Sequence, residues 1–213
     1  LCCGGYENNP WIQYNYNNPG VRVFGWGTPN NEGDGFAMAQ SVGADLWHMH
    51  GLEWAALCYK LPSEEANCSI STDATDGITP YNYLIVDYNG KRFMKEDRTG
   101  AHDMEHQFGL DFDAKACDYR HLPFFLVFDQ EFFDAKPLWD GSGRAGIINT
   151  YAGVYNYHHP EEPWLEWGSN EAAIEKGWIF KGDTLEELAA NIKAERPCRT
   201  ADEAIDGIDG AAL

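Results

Sequence analysis

Apolar and polar side chains alternate through Tyr83-Leu-Ile-Val-Asp87: Leu84 and Val86 fall on one face, Ile85 and Asp87 on the other. That period of two is the period of a β-strand. The alternation stops at Asn89-Gly90, a dipeptide that tolerates the two positive φ values of a type I′ turn, and resumes in Lys91-Arg92-Phe93-Met94. The stretch therefore predicts a β-hairpin that leaves through the charged cluster Glu96-Asp97-Arg98. Leu122–Phe128 is a continuous apolar run of buried-strand length, and Asp129 then caps a helical turn over Asp129–Ala135.

Elsewhere the apolar spacing is helical. Phe36, Ala39 and Val42 predict a helix with Asp34 as N-cap and Gly43 as its terminator. Asn9-Pro10 opens a short helix whose buried side is Trp11, Ile12 and Tyr14. Asn170–Gly177 is a compact helix with an Asn cap and a terminal Gly. Asp183 or Thr184, with Glu186 or Glu187, makes a capping box ahead of the stripe Leu185, Leu188, Ala189, Ile192. Thr200 and Glu203 open a weaker terminal helix, and Ala101–Gly109 reads as another. Ala44–Met49 runs extended, Trp178–Lys181 reads as a short strand, and Leu52–Leu61 fits helix or strand. The polar stretches 15–31, 62–80 and 139–163 read as loop. Helices and short antiparallel strands interleave without βαβ regularity, so the expected class is α+β.

The 213 residues suffice for one domain with a real core. A formal net charge of −19 argues against a nucleic-acid partner, which needs clustered Lys and Arg, and against an anionic membrane surface. No apolar run approaches the ~18 residues of a bilayer span. The six cysteines, at 2, 3, 58, 68, 117 and 198, form no CxxC and no zinc spacing. Leu1–Gly5 is a short apolar run into two glycines, like the end of a buried strand, and reads as the stub of something longer. Targeting and localisation, cytoplasmic or extracytoplasmic, are therefore open.

Three features carry candidate chemistry. His102 and His106 are spaced as two ligands on one helix face, but no third ligand accompanies them, and a polar surface helix is the better reading; His48/His50 and His158/His159 have no more support. Eight Trp, 11 Tyr and 11 Phe beside 34 acidic residues permit an acidic secreted carbohydrate-binding or glycosidase-like module, although no acid pair stands out. Gly4-Gly5 lets backbone approach a ligand or another strand, but neither GxGxxG nor GxxxxGK[ST] occurs, so the chain has no nucleotide fingerprint of its own.

Several stretches match one pattern in order: Cys3-Gly-Gly-Tyr-Glu-Asn-Asn9; Gly27–Gly35, with Gly33-Asp34-Gly35; Ala37-Met-Ala-Gln and Gly43-Ala44; Asn89-Gly-Lys-Arg-Phe-Met-Lys-Glu96; Phe125–Gln130; and Gly182–Ala189. Together they resemble the capping (substrate) domain of the FAD-dependent fumarate reductase/succinate dehydrogenase flavoprotein family, which includes 3-ketosteroid dehydrogenases. The resemblance implies that residues 1–5 end a strand of the FAD-binding domain and 6–213 form the cap. It implies a FAD-dependent ene-reductase or dehydrogenase acting on C=C or CH–CH bonds, with the fragment alone inactive. FAD would be held mainly by the chain's own FAD-binding domain, a partner outside this sequence, and a haem or FMN electron-donor domain is a possible further one. The other partner is a small-molecule substrate; neither nucleic acid nor membrane insertion is implied, and no metal.

By position, the resemblance puts Gly4, Gly5, Gly33, Asp34 and Gly35 beside the flavin and Thr75-Asp76 beside the substrate. It implies Arg98 as proton donor, oriented by Glu96 or Asp97. The chain departs from the fumarate reductases at three places: Gly100 stands where their proton-donating arginine is expected, Ala55 where a substrate histidine is, and Thr79 where a relay arginine is. These departures argue against fumarate or succinate and leave the substrate open. The ketosteroid branch uses tyrosines as acid or base, and Tyr81, Tyr83, Tyr88 and Tyr119 are available.

Overall fold

The computed structural model describes residues 2–17, 25–26, 30–49, 57–59, 67–68, 70–72, 82–96, 111–135, 169–194 and 204–213. Among them the helices are α1 (Pro10–Tyr16), α2 (Asp34–Ser41), α3 (Gln130–Ala135), α4 (Asn170–Glu175) and α5 (Leu185–Asn191). The strands are β1 (Gly25–Trp26), β2 (Leu57–Tyr59), β3 (Asn67–Cys68), β4 (Ile70–Thr72), β5 (Tyr83–Asp87), β6 (Phe112–Asp113), β7 (Asp118–Tyr119), β8 (Phe124–Phe128), β9 (Lys193–Ala194) and β10 (Ile205–Asp206). They form two-stranded sheets, antiparallel except for β1 beside β3, which is parallel. The class is α+β, as expected. Three of these short strands fall inside polar stretches read as loop: β1 in 15–31, and β3 and β4 in 62–80.

The longest pairing, β5 with β8, runs from Tyr83 opposite Phe128 to Asp87 opposite Phe124. The apolar run at 122–128 is thus a strand, but every residue of β8 is half-buried rather than enclosed. In β5 the alternation is overridden at its end: Ile85, Val86 and Asp87 are all buried. Ile85 and Met94 form a core cluster with Phe93, Phe124 and Leu126 packed against it. At the other end of the sheet, fully buried Phe132 of α3 meets the rings of Tyr83 and Phe128 at centroid distances of 5.7 and 4.8 Å. Asp129 caps α3, accepting from Phe132 N at 2.9 Å.

The turn at 87–91 differs from the type I′ expectation. Gly90 alone has positive φ (74°), Gly90 N donates to Asp87 O at 3.0 Å, and Asp87 N donates to Lys91 O at 2.9 Å. This is the three-residue hairpin in which a left-handed glycine makes a bulge. Asp87 decides it: its Oδ1 accepts from Asn89 N at 2.8 Å and Lys91 N at 3.1 Å, stabilising the wider turn. The return arm therefore touches β5 through one bridge, Val86 to Arg92, instead of a second full strand.

Helix ends show where local chemistry prevails. Asn9 caps α1 through Ile12 N (3.1 Å), with Pro10 in the first turn. Thr184 caps α5 through Glu187 N (3.1 Å), and Glu187 reaches back to Asp183 N (3.0 Å). Gly43 and Gly177 terminate α2 and α4 with positive φ, each with the paired 6→1 and 5→2 hydrogen bonds of a Schellman ending.

Other expectations change. Gly33, at φ 90°, is the N-cap of α2, and Asp34 is its first residue without a capping hydrogen bond. Ser169, not Asn170, caps α4, because the buried Asn170 amide donates to Phe133 O (2.8 Å) and ties α4 to α3. In α1 the buried face is Ile12 and Gln13, while Trp11 and Tyr14 are exposed. Gln13 turns inward because its amide donates to Glu7 O. Leu185 of the α5 stripe is half in water, while Ala189 and Ile192 are buried. Residues 178–181 form no strand, and Cys2 to Gly5 are exposed and unpaired in any sheet. The helices expected at 101–109 and 200–203 lie outside the described residues.

Candidate functional site

Two clusters gather the described residues that the resemblance singles out. The first is built by the segment 4–9 lying against 30–33. Gly33 N donates to Gly5 O (3.1 Å), Asn8 N to Asn31 O (3.0 Å), and the Asn9 amide to Glu32 O (2.8 Å). Gly4, Gly5, Gly33, Asp34 and Gly35 therefore sit together at the start of α2. Aromatic packing holds it: Phe36 meets Tyr6 at 5.9 Å and Tyr16 at 5.8 Å. The Tyr6 hydroxyl lies 3.4 Å from Asn17 Oδ1 and 3.3 Å from Met49 O. Burial, then the charge of Glu7, push the Tyr6 phenol pKa up.

These glycines are filled by their own chain. A Cβ on Gly4 would stand 2.0 Å from Asn31 Oδ1, one on Gly5 2.4 Å from Glu7 Oε2, and one on Gly33 2.6 Å from Ile12 Cδ1. The side-chain space of Gly4, Gly5 and Gly33 is therefore taken by Asn31, Glu7 and Ile12 rather than open to a ligand.

The second cluster is the end of the hairpin. Glu96 is buried and accepts from Ile85 N (2.9 Å), Arg92 Nε (3.0 Å) and Arg92 Nη2 (2.5 Å). Burial opposes its ionisation, but the Arg92 guanidinium and the Ile85 N–H outweigh it and hold its carboxyl below the usual glutamate range. Arg92 and Glu96 thus close the return arm onto β5 with a forked, charge-assisted pair. Arg98, Asp97, Thr75, Asp76, Tyr81, Ala55, Thr79 and Gly100 lie outside the described residues. So do all the paired histidines except His48. Among the described residues no group of three metal-ligating side chains occurs. Of the tyrosines, Tyr119 is buried edge-on to Phe112 and Tyr83 packs on Phe132.

One residue of this cluster escaped the sequence reading. His121 stacks on Phe93 (4.2 Å, planes 4° apart) with Nδ1 3.3 Å from Asp87 Oδ2. Its Nε2 lies 3.5 Å from Asp111 Oδ2, and Arg120 bridges Asp111 and Asp113. Asp87 thereby fastens both the turn and the 111–121 ribbon. The contact spans 34 residues, so nothing local in the sequence signals it. The only clue is an acid placed just ahead of a turn.

The chain is similar to the 3-oxosteroid 1-dehydrogenase of Mycobacterium tuberculosis H37Rv, 27% identical over 201 residues covering 89% of this chain, and to that of Mycolicibacterium smegmatis, 27% identical over 191 residues. These are FAD-dependent flavoproteins, so the resemblance read from the motifs is borne out. The chain spans 29% and 28% of the lengths of these two relatives. Its fold is like that of part of the 3-ketosteroid Δ1-dehydrogenase from Sterolibacterium denitrificans, solved with 1,4-androstadiene-3,17-dione, with a TM-score of 0.58 and 22% identity over all of this chain and 30% of that one. No protein-family model matches the chain.

Proposed function

We propose that this chain is the capping, substrate-side domain of a FAD-dependent dehydrogenase acting on a 3-ketosteroid or a similar cyclic ketone. The observation that carries the reading is the similarity to 3-oxosteroid 1-dehydrogenases along 89% of the chain. The alternative, a carbohydrate-binding or glycosidase-like module, has no relative behind it in these comparisons. Residues 1–5 end a strand of the FAD-binding domain and 6–213 form the cap. FAD belongs to that other domain, and the cluster at Gly4, Gly5, Gly33, Asp34 and Gly35 faces it.

Desaturation beside a carbonyl removes a proton from the α carbon and a hydride from the β carbon. The cap's share is the proton and the exclusion of water. Arg98, two residues beyond Glu96, is the proposed proton-transfer group. An arginine has a pKa above ~12, so Arg98 must be held neutral in the site to accept the α proton, and in the reverse, saturating direction it returns that proton to the developing carbanion. The Arg92–Glu96 fork supports this by fixing the direction in which the chain leaves the hairpin. Thr75 and Asp76 are the proposed substrate contacts.

The test is anaerobic mixing of the full FAD-loaded protein with a 3-ketosteroid. Bleaching of the flavin band, with a product two hydrogens lighter, is expected. Arg98→Gln is expected to lower turnover at least ~100-fold with FAD content unchanged. A full protein that holds FAD but is never reduced by any 3-ketosteroid would overturn the substrate class; an Arg98→Gln enzyme at full speed would overturn the residue.

A further inference from the structure

The segment 204–213 touches two elements that are far apart in sequence. On one side it lies on α5. Gly207 N donates to Ile192 O (2.8 Å), Ile208 N to Ala189 O (2.9 Å), and β10 pairs with β9. Gly210 sits so close that a Cβ there would stand 3.0 Å from Glu186 Cα and 3.2 Å from Ala189 Cβ. On the other side it seats on the tip of the hairpin. A Cβ on Gly90 would stand 2.7 Å from Asp209 O and 3.2 Å from Ala212 Cβ. The segment is stiffened between the two contacts by Ala212 N to Asp209 O (3.1 Å) and Ala211 N to Asp209 Oδ1 (3.0 Å).

We propose that residues 207–213 are a brace that couples α5 to the 83–96 hairpin, so that a displacement of this segment moves the Arg92–Glu96 fork, with Gly90 as the positioning residue at the joint. Glycine is needed there twice over: its φ of 74° suits the bulged turn, and its missing side chain admits the brace. The hairpin is stiff along its length, because Asp87 ties the turn and Glu96 ties the arm to Ile85. A push at the tip therefore travels to Glu96 as a rigid tilt. The functional consequence rests on the reading above, in which the Arg92–Glu96 fork fixes the exit of the hairpin toward the proposed proton-transfer group. A displacement of residues 207–213 would then reach the proton-transfer arm through Gly90.

Two substitutions approach the joint from opposite sides. Gly210→Val, whose φ lies outside the left-handed region, crowds only the α5 side. Gly90→Ala crowds the hairpin side and strains the turn at its φ of 74°. Amide hydrogen exchange is measured in the full FAD-loaded protein, together with kcat and KM. Gly210→Val is expected to speed exchange at Gly90 and Lys91 about 10-fold or more, and Gly90→Ala to do the same at Ile208 and Ala212, while Gln13 in α1 is unchanged. kcat falls in both variants with KM near the parent value. Crossing in either direction supports the brace, and acceleration confined to the mutated side in both variants overturns it. If the parent protein shows no dehydrogenase activity, the functional reading fails, and the exchange data alone decide the brace.

Discussion

Glu96, which the resemblance implies as a residue orienting a proton donor, acts in the fold as a fastener. Its two oxygens are occupied by Arg92 and Ile85 N, and it is buried beside Met94 and Ile85. Because its carboxyl titrates below the ordinary range, its contribution to stability is complete above the unfolded value of ~4.3 and is lost as pH falls through the lower folded value. Glu96→Gln is expected to cost about 1–3 kcal/mol at neutral pH and to flatten that acid limb, read from urea unfolding between about pH 7 and about pH 3. Gly33 is the other decisive residue. At φ 90° and against Ile12, Gly33→Ala is expected to lose about 1–2 kcal/mol, measured by the same unfolding. The sequence singled out both positions, since both lie in the motifs that carry the resemblance. It did not show why, because the reasons are contacts with Arg92, Ile85 and Ile12 that exist only after the chain folds back.

Elements were legible where a short-range interaction defines them. Asn9, Thr184, Asp129, Gly43 and Gly177 all act within four or five residues of themselves, and the structure keeps them. Thr184→Ala is accordingly expected to lower stability by about 1 kcal/mol through the lost Glu187 N bond, measured by thermal melting. Elements were misread where a distant partner outbids the local preference. Asn170 is a good cap by type, but its amide is taken by Phe133 O, and Ser169 caps in its place. Asn89-Gly90 favours a type I′ turn, but Asp87 accepts from two amides beyond it and widens the loop. Trp11 and Tyr14 are apolar enough for a core, yet a buried Gln13 takes that face. Phe132 is the keystone between α3 and the β5–β8 sheet, and Phe132→Ala is expected to cost about 3–5 kcal/mol.

For the molecule as a whole, small two-stranded sheets and short helices leave large apolar side chains in water, among them Trp47, Val42, Tyr14 and Trp11. The chain expressed alone is expected to carry no flavin absorbance after dialysis against FAD, since its glycine cluster is filled by Asn31, Glu7 and Ile12. Acquisition of a stoichiometric flavin band by these 213 residues would refute the assignment of FAD to a separate domain.

By itself the sequence determined the α+β class, the caps at Asn9, Thr184 and Asp129, the strand within the 122–128 run and the resemblance to flavoproteins. Each of these is encoded in residues a few positions apart or in motifs kept in order along the chain. Only the tertiary structure decided the bulged turn at Gly90, the Arg92–Glu96 fork, the His121–Asp87 contact and the seat of residues 209–213 on the hairpin tip. Those depend on which backbone and side-chain groups meet across long stretches of chain. Such meetings are chosen by competition among many weak contacts, and no periodicity in the sequence records their outcome.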